Sequence, residues 1–150
     1  MTNDEKWMKI AFNEALKAKL NGEVPVGSVL VKNNQIIARA HNRPISKNDA
    51  TAHAEIEVIR ASGKILDNYR LVNTTIYITL QPCYMCIAAI AHARISKIVF
   101  GAYDTKKTYG ESLLENFVNS NPLNHKIEII GGVYELECTK LLKDFFKERR

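Results

Sequence analysis

Four side chains in this sequence have the types and spacing of a metal-dependent hydrolytic site. His53 and Glu55 lie two residues apart, and a Pro-Cys-x-x-Cys pattern well downstream contains Cys83 and Cys86. Imidazole and thiolate groups are typical zinc ligands, and a catalytic zinc site uses three protein ligands and leaves a fourth position for water. Such a site lowers the pKa of the bound water to about 7. We therefore expect His53, Cys83 and Cys86 to bind one zinc ion per chain, with Glu55 moving protons beside it.

Both motifs are expected at the starts of helices. The two cysteines are three residues apart, so they share one face of a helix that begins at Pro82. The positive end of that helix dipole favours thiolate, which is the form that zinc binds. His53 and Glu55 lie near the start of a second predicted helix, at about residue 52. Residues two apart do not share a face inside a helix, so both can serve one site only at a helix end.

The rest of the chain predicts alternating helices and strands. Strands are predicted over residues 26–31, 35–40, 74–80, 97–101 and 126–130. Helices are predicted near the N-terminus, from about 52, over 82–93, around 113–118 and from about 134, with a polar loop over 42–49. This order predicts a single domain over residues 1–150, with an α/β fold that forms a three-layer α/β/α sandwich around a five-stranded mixed sheet.

Composition limits the partners and the compartment. The net charge is +5 and the sequence pI is about 9.1, which favours an anionic partner without identifying it. We see no signal peptide and no apolar run long enough to span a membrane, so we expect no membrane association. Three cysteines, two of them in a C-x-x-C pair, indicate metal or redox use in a reducing compartment rather than a disulfide framework. We therefore expect a cytoplasmic protein.

The histidine and cysteine motifs, taken together, are the signature of zinc-dependent nucleobase deaminases. Three further stretches make the chain resemble bacterial tRNA adenosine deaminases of the cytidine deaminase-like superfamily: EVPVG at 23–27, HNRP at 41–44 and DFFKERR at 144–150. The resemblance covers nearly the whole chain. It implies hydrolytic deamination of adenosine to inosine at the anticodon wobble position of tRNA, by zinc-activated hydroxide with Glu55 as proton shuttle. It also implies a homodimer that binds the anticodon stem-loop.

The resemblance further implies a set of substrate-binding residues. Asn42 matches a residue that contacts the target base, and the small Ala54 would let a flat base approach the metal. Pro25 and Val26 would form an apolar wall of the base pocket. Four more residues match positions near the RNA, namely Asp104, Lys106, Phe146 and Arg150. The chain departs from the family pattern at Gln81, where the family usually has Glu, and in the loop 106–110, which has fewer glycines.

Several alternatives remain open at this stage. A C-x-x-C pair can be a redox centre, a lone histidine is more often a core residue than a ligand, and a basic helix face is usually just solvated. A small-molecule nucleobase or nucleoside deaminase of guanine or cytosine type would have the same zinc site. A non-catalytic RNA-binding subunit with a structural zinc is a third possibility, although Glu55 argues against it. The apolar run 87–91 is consistent with a buried helix or a dimer interface.

Overall fold

The computed structural model of the protein describes residues 1–104 and 124–149. Its helices are α1 (Asn3–Leu20), α2 (Pro44–Lys47), α3 (Ala54–Leu66), α4 (Tyr84–His92) and α5 (Glu135–Glu148). Its strands are β1 (Gly27–Lys32), β2 (Gln35–His41), β3 (Thr75–Leu80), β4 (Lys97–Ala102) and β5 (Glu128–Ile130). The helix predicted at 113–118 lies outside the described residues.

The strands of the described residues form one mixed sheet in the order β2-β1-β3-β4-β5. Strand β1 is antiparallel to β2 and β3, whereas β3, β4 and β5 are parallel. The β1–β2 hairpin turns at Asn33 and Asn34, whose φ angles are 51° and 60°. Asparagine tolerates this left-handed conformation, and two such residues suit the tight turn between antiparallel strands. The predicted five-stranded mixed sheet is confirmed.

Helices cover both faces of the sheet. Alternate strand residues point to opposite faces, so each face has its own set of apolar side chains. On one face α1 packs through Trp7 and Met8 against Val29 and Val99, and α5 packs beside it. On the other face, α3 and α4 cover Leu30, Ile76, Ile78 and Ile98. This arrangement is the predicted three-layer sandwich.

The parallel pair β3–β4 brings the functional segments to one edge of the sheet. Its two strands end together, with Leu80 paired to Ala102. Helix α4 begins soon after β3, and the N-terminus of α3 lies next to that of α4. The helices start slightly later than predicted, at Ala54 and Tyr84 rather than near 52 and 82. The segment 42–49, predicted as a loop, contains the short helix α2.

Where the chain is described, no helix combines the length and the apolar character that crossing a membrane requires.

Candidate active site

Three side chains place possible metal-binding atoms close to one another. The Nδ1 atom of His53 lies 3.7 Å from Sγ of Cys83 and 3.6 Å from Sγ of Cys86. All three donor atoms lie within 4.8 Å of one another. In a tetrahedral site with zinc–sulfur bonds of about 2.3 Å and zinc–nitrogen bonds of about 2.0–2.1 Å, sulfur and nitrogen are about 3.6 Å apart. The separations in this protein therefore fit tetrahedral zinc.

Two of these ligands are the N-cap residues of helices. His53 precedes α3 and Cys83 precedes α4, both with extended backbone conformations, and neither side chain caps its own helix. Most N-cap side chains bond to the first turn of their helix, whereas these two lie beside each other. Cys86 is fully buried within α4. The predicted helix start at Pro82 was wrong, because the helix begins at Tyr84 and leaves Cys83 at the N-cap.

The two thiols differ in acidity. Cys83 accepts a hydrogen bond from the Cys86 thiol, and this bond, together with His53, lowers the pKa of Cys83 to about 3. The same hydrogen bond, together with burial, raises the pKa of Cys86. At neutral pH the pair therefore carries one thiolate and one thiol. A zinc ion bound by both sulfurs must displace the remaining proton.

Glu55 is a carboxyl group with the environment of a proton carrier. It is 4% exposed, lies in the first turn of α3 and lines the same cavity as His53 and Cys83. Burial raises its pKa above the ordinary value, and the negative charge of Cys83 acts in the same direction. A carboxyl group whose pKa is moved toward neutrality can take up a proton and release it at the pH of the cell.

These residues open into a cavity of about 800 Å³. Val24, Val26 and Leu80 give it an apolar wall, whereas Lys143 and Lys147 of α5 add positive charge. A cavity that is largely apolar, with a few polar groups at fixed positions, is typical of small-molecule and base-binding sites. His53, Cys83 and Glu55 therefore face a space that can hold a flat heterocycle.

Asn42 is fixed in this cavity by its own side chain. Its Oδ1 atom accepts a hydrogen bond of 2.8 Å from the backbone N–H of Ala54, the first residue of α3. Asn42 is 9% exposed and lines the cavity. Because the oxygen binds Ala54, the amide nitrogen is the atom that remains for a ligand. Asn42 therefore supplies the cap that His53 does not give to α3 and presents a donor to the site.

The structure brings four of the eight predicted substrate residues to the cavity. Val26, Asn42, Asp104 and Phe146 line it. Pro25 and Ala54 do not: Pro25 is buried between Val24 and Val26, which supply the wall on either side of it, and Ala54 is fully buried in the core. The roles predicted for Pro25 and Ala54 at the base remain predictions. Lys106 and Arg150 lie outside the described residues.

Other cavity residues were not predicted from the sequence. They are Val24 before β1, Leu80, Ala102 and Tyr103 near the ends of β3 and β4, and Thr139 and Leu142 on α5. Gln81 joins the two strand ends, because its N–H donates to the carbonyl of Ala102 and its Oε1 accepts from the N–H of Asp104. Strand ends on one sheet edge are a usual place for ligand sites in α/β folds, and this was the signal that could have found them.

Comparison with known proteins identifies related deaminases. Residues 1–102 match the model of the cytidine and deoxycytidylate deaminase zinc-binding region. A tRNA-specific adenosine deaminase of Bacillus subtilis (strain 168) is 46% identical over 150 residues, covering 100% of this chain and 92% of that protein. A guanine deaminase structure from Bacillus subtilis is 33% identical with a TM-score of 0.65, and the match covers 75% of this chain and 74% of that chain.

A further solved structure comes from a study of A-to-I editing by tRNA:A34 deaminases at the wobble position of transfer RNA. It is 42% identical with a TM-score of 0.84, and the match covers 91% of this chain and 99% of that chain. The likeness to the adenosine deaminases thus extends over more of the chain, at higher identity, than the likeness to the guanine deaminase. The chain belongs to the tRNA-specific adenosine deaminase family.

Proposed function

We propose that this protein is a zinc-dependent hydrolase that converts adenosine to inosine at the wobble position of tRNA. One observation carries the proposal: His53, Cys83 and Cys86 hold three donors at the spacing of tetrahedral zinc, and Glu55 faces the same cavity without belonging to the donor cluster. Three protein ligands are the pattern of a catalytic zinc rather than a structural one. One zinc ion per chain is therefore expected.

Glu55 is assigned the movement of protons. Zinc bound at this site would make hydroxide available at neutral pH. The Glu55 carboxylate accepts a proton from water and then delivers protons to the adenine ring and to the departing amino group. The reaction consumes one water, exchanges the C6 amino group for oxygen and releases ammonia. Burial of Glu55 favours its protonated form, which is the form that must protonate the leaving amine.

Asn42 is assigned to the target base. Its oxygen is committed to the N–H of Ala54 at 2.8 Å, so its Nδ2 group is the donor that faces the cavity. A ring nitrogen of adenine is an acceptor of the matching type. Val24 and Val26 would contact the face of the base. The base is thus bound by one fixed amide donor and an apolar wall.

The side of the cavity formed by α5 has the character of an RNA-binding surface. Lys143 and Lys147 lie one turn apart with Phe146 between them, and all three line the cavity. Lysine side chains can neutralise phosphates and an aromatic ring can stack on a splayed base. Lys140, on the same helix, pairs with Asp144 at 2.8 Å. We propose that α5 binds the anticodon loop, with Lys106 and Arg150 assigned to the same RNA.

We also propose a homodimer that works in the cytoplasm. Ile87 and Ile90 of α4 are buried in the core, whereas Tyr84 and Met85 are 41% and 37% exposed. An apolar face that remains exposed after the core is complete favours contact with a second copy. Its test is the mass of the protein in solution, with Ala89→Glu expected to give monomers. The free thiols of Cys83 and Cys86 suit a reducing compartment.

A direct assay separates the proposed function from its main alternative. Purified zinc-loaded protein is incubated with a synthetic anticodon stem-loop that has adenosine at the wobble position, and in parallel with free adenosine, guanine and cytosine. Inosine in the stem-loop, with at most traces of product from the free compounds, is the expected result. Faster deamination of guanine or cytosine than of the stem-loop would overturn the proposal. A matched stem-loop with guanosine at the wobble position gives the background.

A further inference from the structure

Glu23 is a deeply buried carboxylate whose partners are backbone groups. It is 2% exposed, lies between α1 and β1, and accepts hydrogen bonds from the N–H of Ile45 at 3.1 Å and of Ser46 at 2.8 Å. Both donors lie in the first turn of α2, where backbone N–H groups have no partner within the helix. A buried carboxylate is costly unless it is hydrogen-bonded. The N–H groups of α2 therefore supply hydrogen bonds to the buried Glu23 carboxylate, and the carboxylate supplies acceptors to these N–H groups.

Burial of apolar side chains cannot hold α2 against the rest of the fold, because none of its residues is buried. At its far end Lys47 pairs with Glu57 at 2.7 Å, but the Lys47 side chain is 41% exposed. Partly exposed ion pairs contribute little to stability. The two charge-assisted hydrogen bonds to Glu23 are consequently the strongest described connection between α2 and the rest of the fold.

The segment that Glu23 holds is the one that presents Asn42 to the cavity. The N–H of Asn42 donates to the carbonyl of Val26 at 3.1 Å, and its side-chain oxygen accepts from Ala54 at 2.8 Å. Arg43 is bound through its N–H to the carbonyl of Ala52 at 2.9 Å. Asn42 and Pro44 line the cavity. The chain from 42 to 46 is thus connected at one end to the start of α3 and at the other end to Glu23.

We propose that Glu23 is a positioning residue for substrate binding, which acts through Asn42 by fixing the backbone of residues 42–46. The inference rests on the proposed role of Asn42 at the target base. Loss of the carboxylate leaves the metal donors in place but lets α2 and the preceding turn move. The Asn42 amide then no longer meets the base at a fixed point. The expected consequence is weaker binding of substrate rather than loss of metal.

A double-mutant cycle tests this role. Glu23→Gln keeps the size of the side chain but puts an N–H donor against a backbone N–H, so we expect kcat/KM on the stem-loop to fall about five- to thirtyfold, mostly through KM. In an Asn42→Ala background the same change should cost less than about twofold, because the residue through which Glu23 acts is gone. Equal losses in both backgrounds would reduce Glu23 to a general structural residue.

Glu14→Gln is the matched control. Glu14 is 4% exposed, but its carboxylate binds the side chains of Lys17 and His41 instead of the backbone of residues 42–46. We expect kcat/KM within about twofold of wild type for this variant. A loss as large as that of Glu23→Gln would show that removing any buried carboxylate has the effect, and would overturn the proposal.

Amide hydrogen exchange tests the proposal without any catalysis. In Glu23→Gln the amides of Ile45 and Ser46 should exchange about tenfold faster or more, and the amide of Ala54 should follow because its acceptor is Asn42. An unchanged Ala54 amide would mean that Glu23 does not control Asn42. This measurement decides the inference even for a protein that fails to deaminate the stem-loop, a result that would overturn only the proposed function.

Discussion

The Nδ1 atom of His53 and the Sγ atom of Cys86 lie 3.6 Å apart, although 33 positions separate the two residues along the chain. This separation is close to the nitrogen–sulfur distance of tetrahedral zinc, about 3.6 Å. The fold creates it by placing the N-termini of α3 and α4 side by side at one edge of the sheet. The tertiary fold, rather than closeness along the chain, therefore gives these two atoms the spacing of metal ligands.

Cys86→Ala should lose zinc, because the two remaining donors cannot hold a catalytic zinc tightly. The check is elemental analysis of purified protein, with about one zinc per chain in wild type and near zero in the variant. Cys138→Ala is the control, since Cys138 is buried but does not belong to the donor cluster. Full zinc occupancy in Cys86→Ala would contradict the ligand assignment.

Zinc binding should release about one proton at pH 7. Cys83, with a pKa lowered to about 3, is already a thiolate, whereas the raised pKa of Cys86 keeps it a thiol until the metal binds. Acidification favours protonated ligands, which compete with the metal, so zinc affinity should fall by at least about tenfold for each pH unit below neutrality. Calorimetric titration in buffers of different ionisation enthalpy counts the protons. Release of no proton would mean that both sulfurs are ionised beforehand.

Glu55→Gln should keep zinc but lose deamination by about 10²–10⁴-fold or more, because an amide cannot accept and return the proton. Single-turnover rates on the stem-loop, together with zinc content, measure the two effects separately. Glu57→Gln is a suitable control, since Glu57 is a buried acid of the same helix that pairs with Lys47. Turnover by Glu55→Gln within a few-fold of wild type would exclude it as the proton carrier.

The metal donors could be predicted from the sequence because their types and local spacing are restrictive. A histidine beside a helix start and two cysteines three apart have few other purposes when they occur in one chain. The exact helix start could not be predicted, because Cys83 can sit either inside the first turn or at the N-cap without changing the pattern. Such boundaries depend on backbone angles that a pattern does not encode.

Helix α2 and the cavity wall could not be predicted from the sequence, for a different reason. A helix of four residues with no buried side chain has no apolar periodicity to detect, and its partner Glu23 is distant in sequence. Val24, Leu80 and Leu142 are ordinary apolar residues that become cavity wall only when the loop before β1, the end of β3 and α5 meet. Tertiary contacts alone distinguish them from core.

Asp104→Asn should narrow the difference between the deamination rates of RNA and DNA substrates. Asp104 lines the cavity, and its backbone is held by Gln81 at 3.0 Å. A carboxylate near a polyanion repels it unless it accepts a hydrogen bond, and the ribose 2′-OH is a donor that DNA lacks. The amide relieves the repulsion for both substrates but gives DNA the larger gain. Rates on matched RNA and DNA stem-loops give the ratio, and an unchanged ratio would make Asp104 a surface turn residue.

The stability provided by Glu23 should depend on pH in a defined direction. Burial opposes its ionisation, but hydrogen bonds from the N–H groups of Ser46 and Ile45 outweigh burial and hold the pKa below the ordinary value. The unfolded chain has a Glu pKa of about 4.3. Because the folded-state pKa is the lower one, the stabilisation is fully present above the unfolded value and is lost as the pH falls through the folded value.

Glu23→Gln should therefore be less stable than wild type by about 1–3 kcal/mol at pH 7, the range for lost hydrogen bonds to a buried charged group. As the pH falls through the lowered pKa of Glu23, the wild-type carboxyl becomes protonated and the difference in stability should shrink. Urea unfolding of both proteins between pH 7 and pH 3 measures the difference in their free energies of unfolding. Glu14→Gln makes a useful comparison, because this variant loses side-chain contacts with Lys17 and His41 but no contact with α2. A difference that stays constant from pH 7 to pH 3 would show that the ionised carboxylate is not what holds α2.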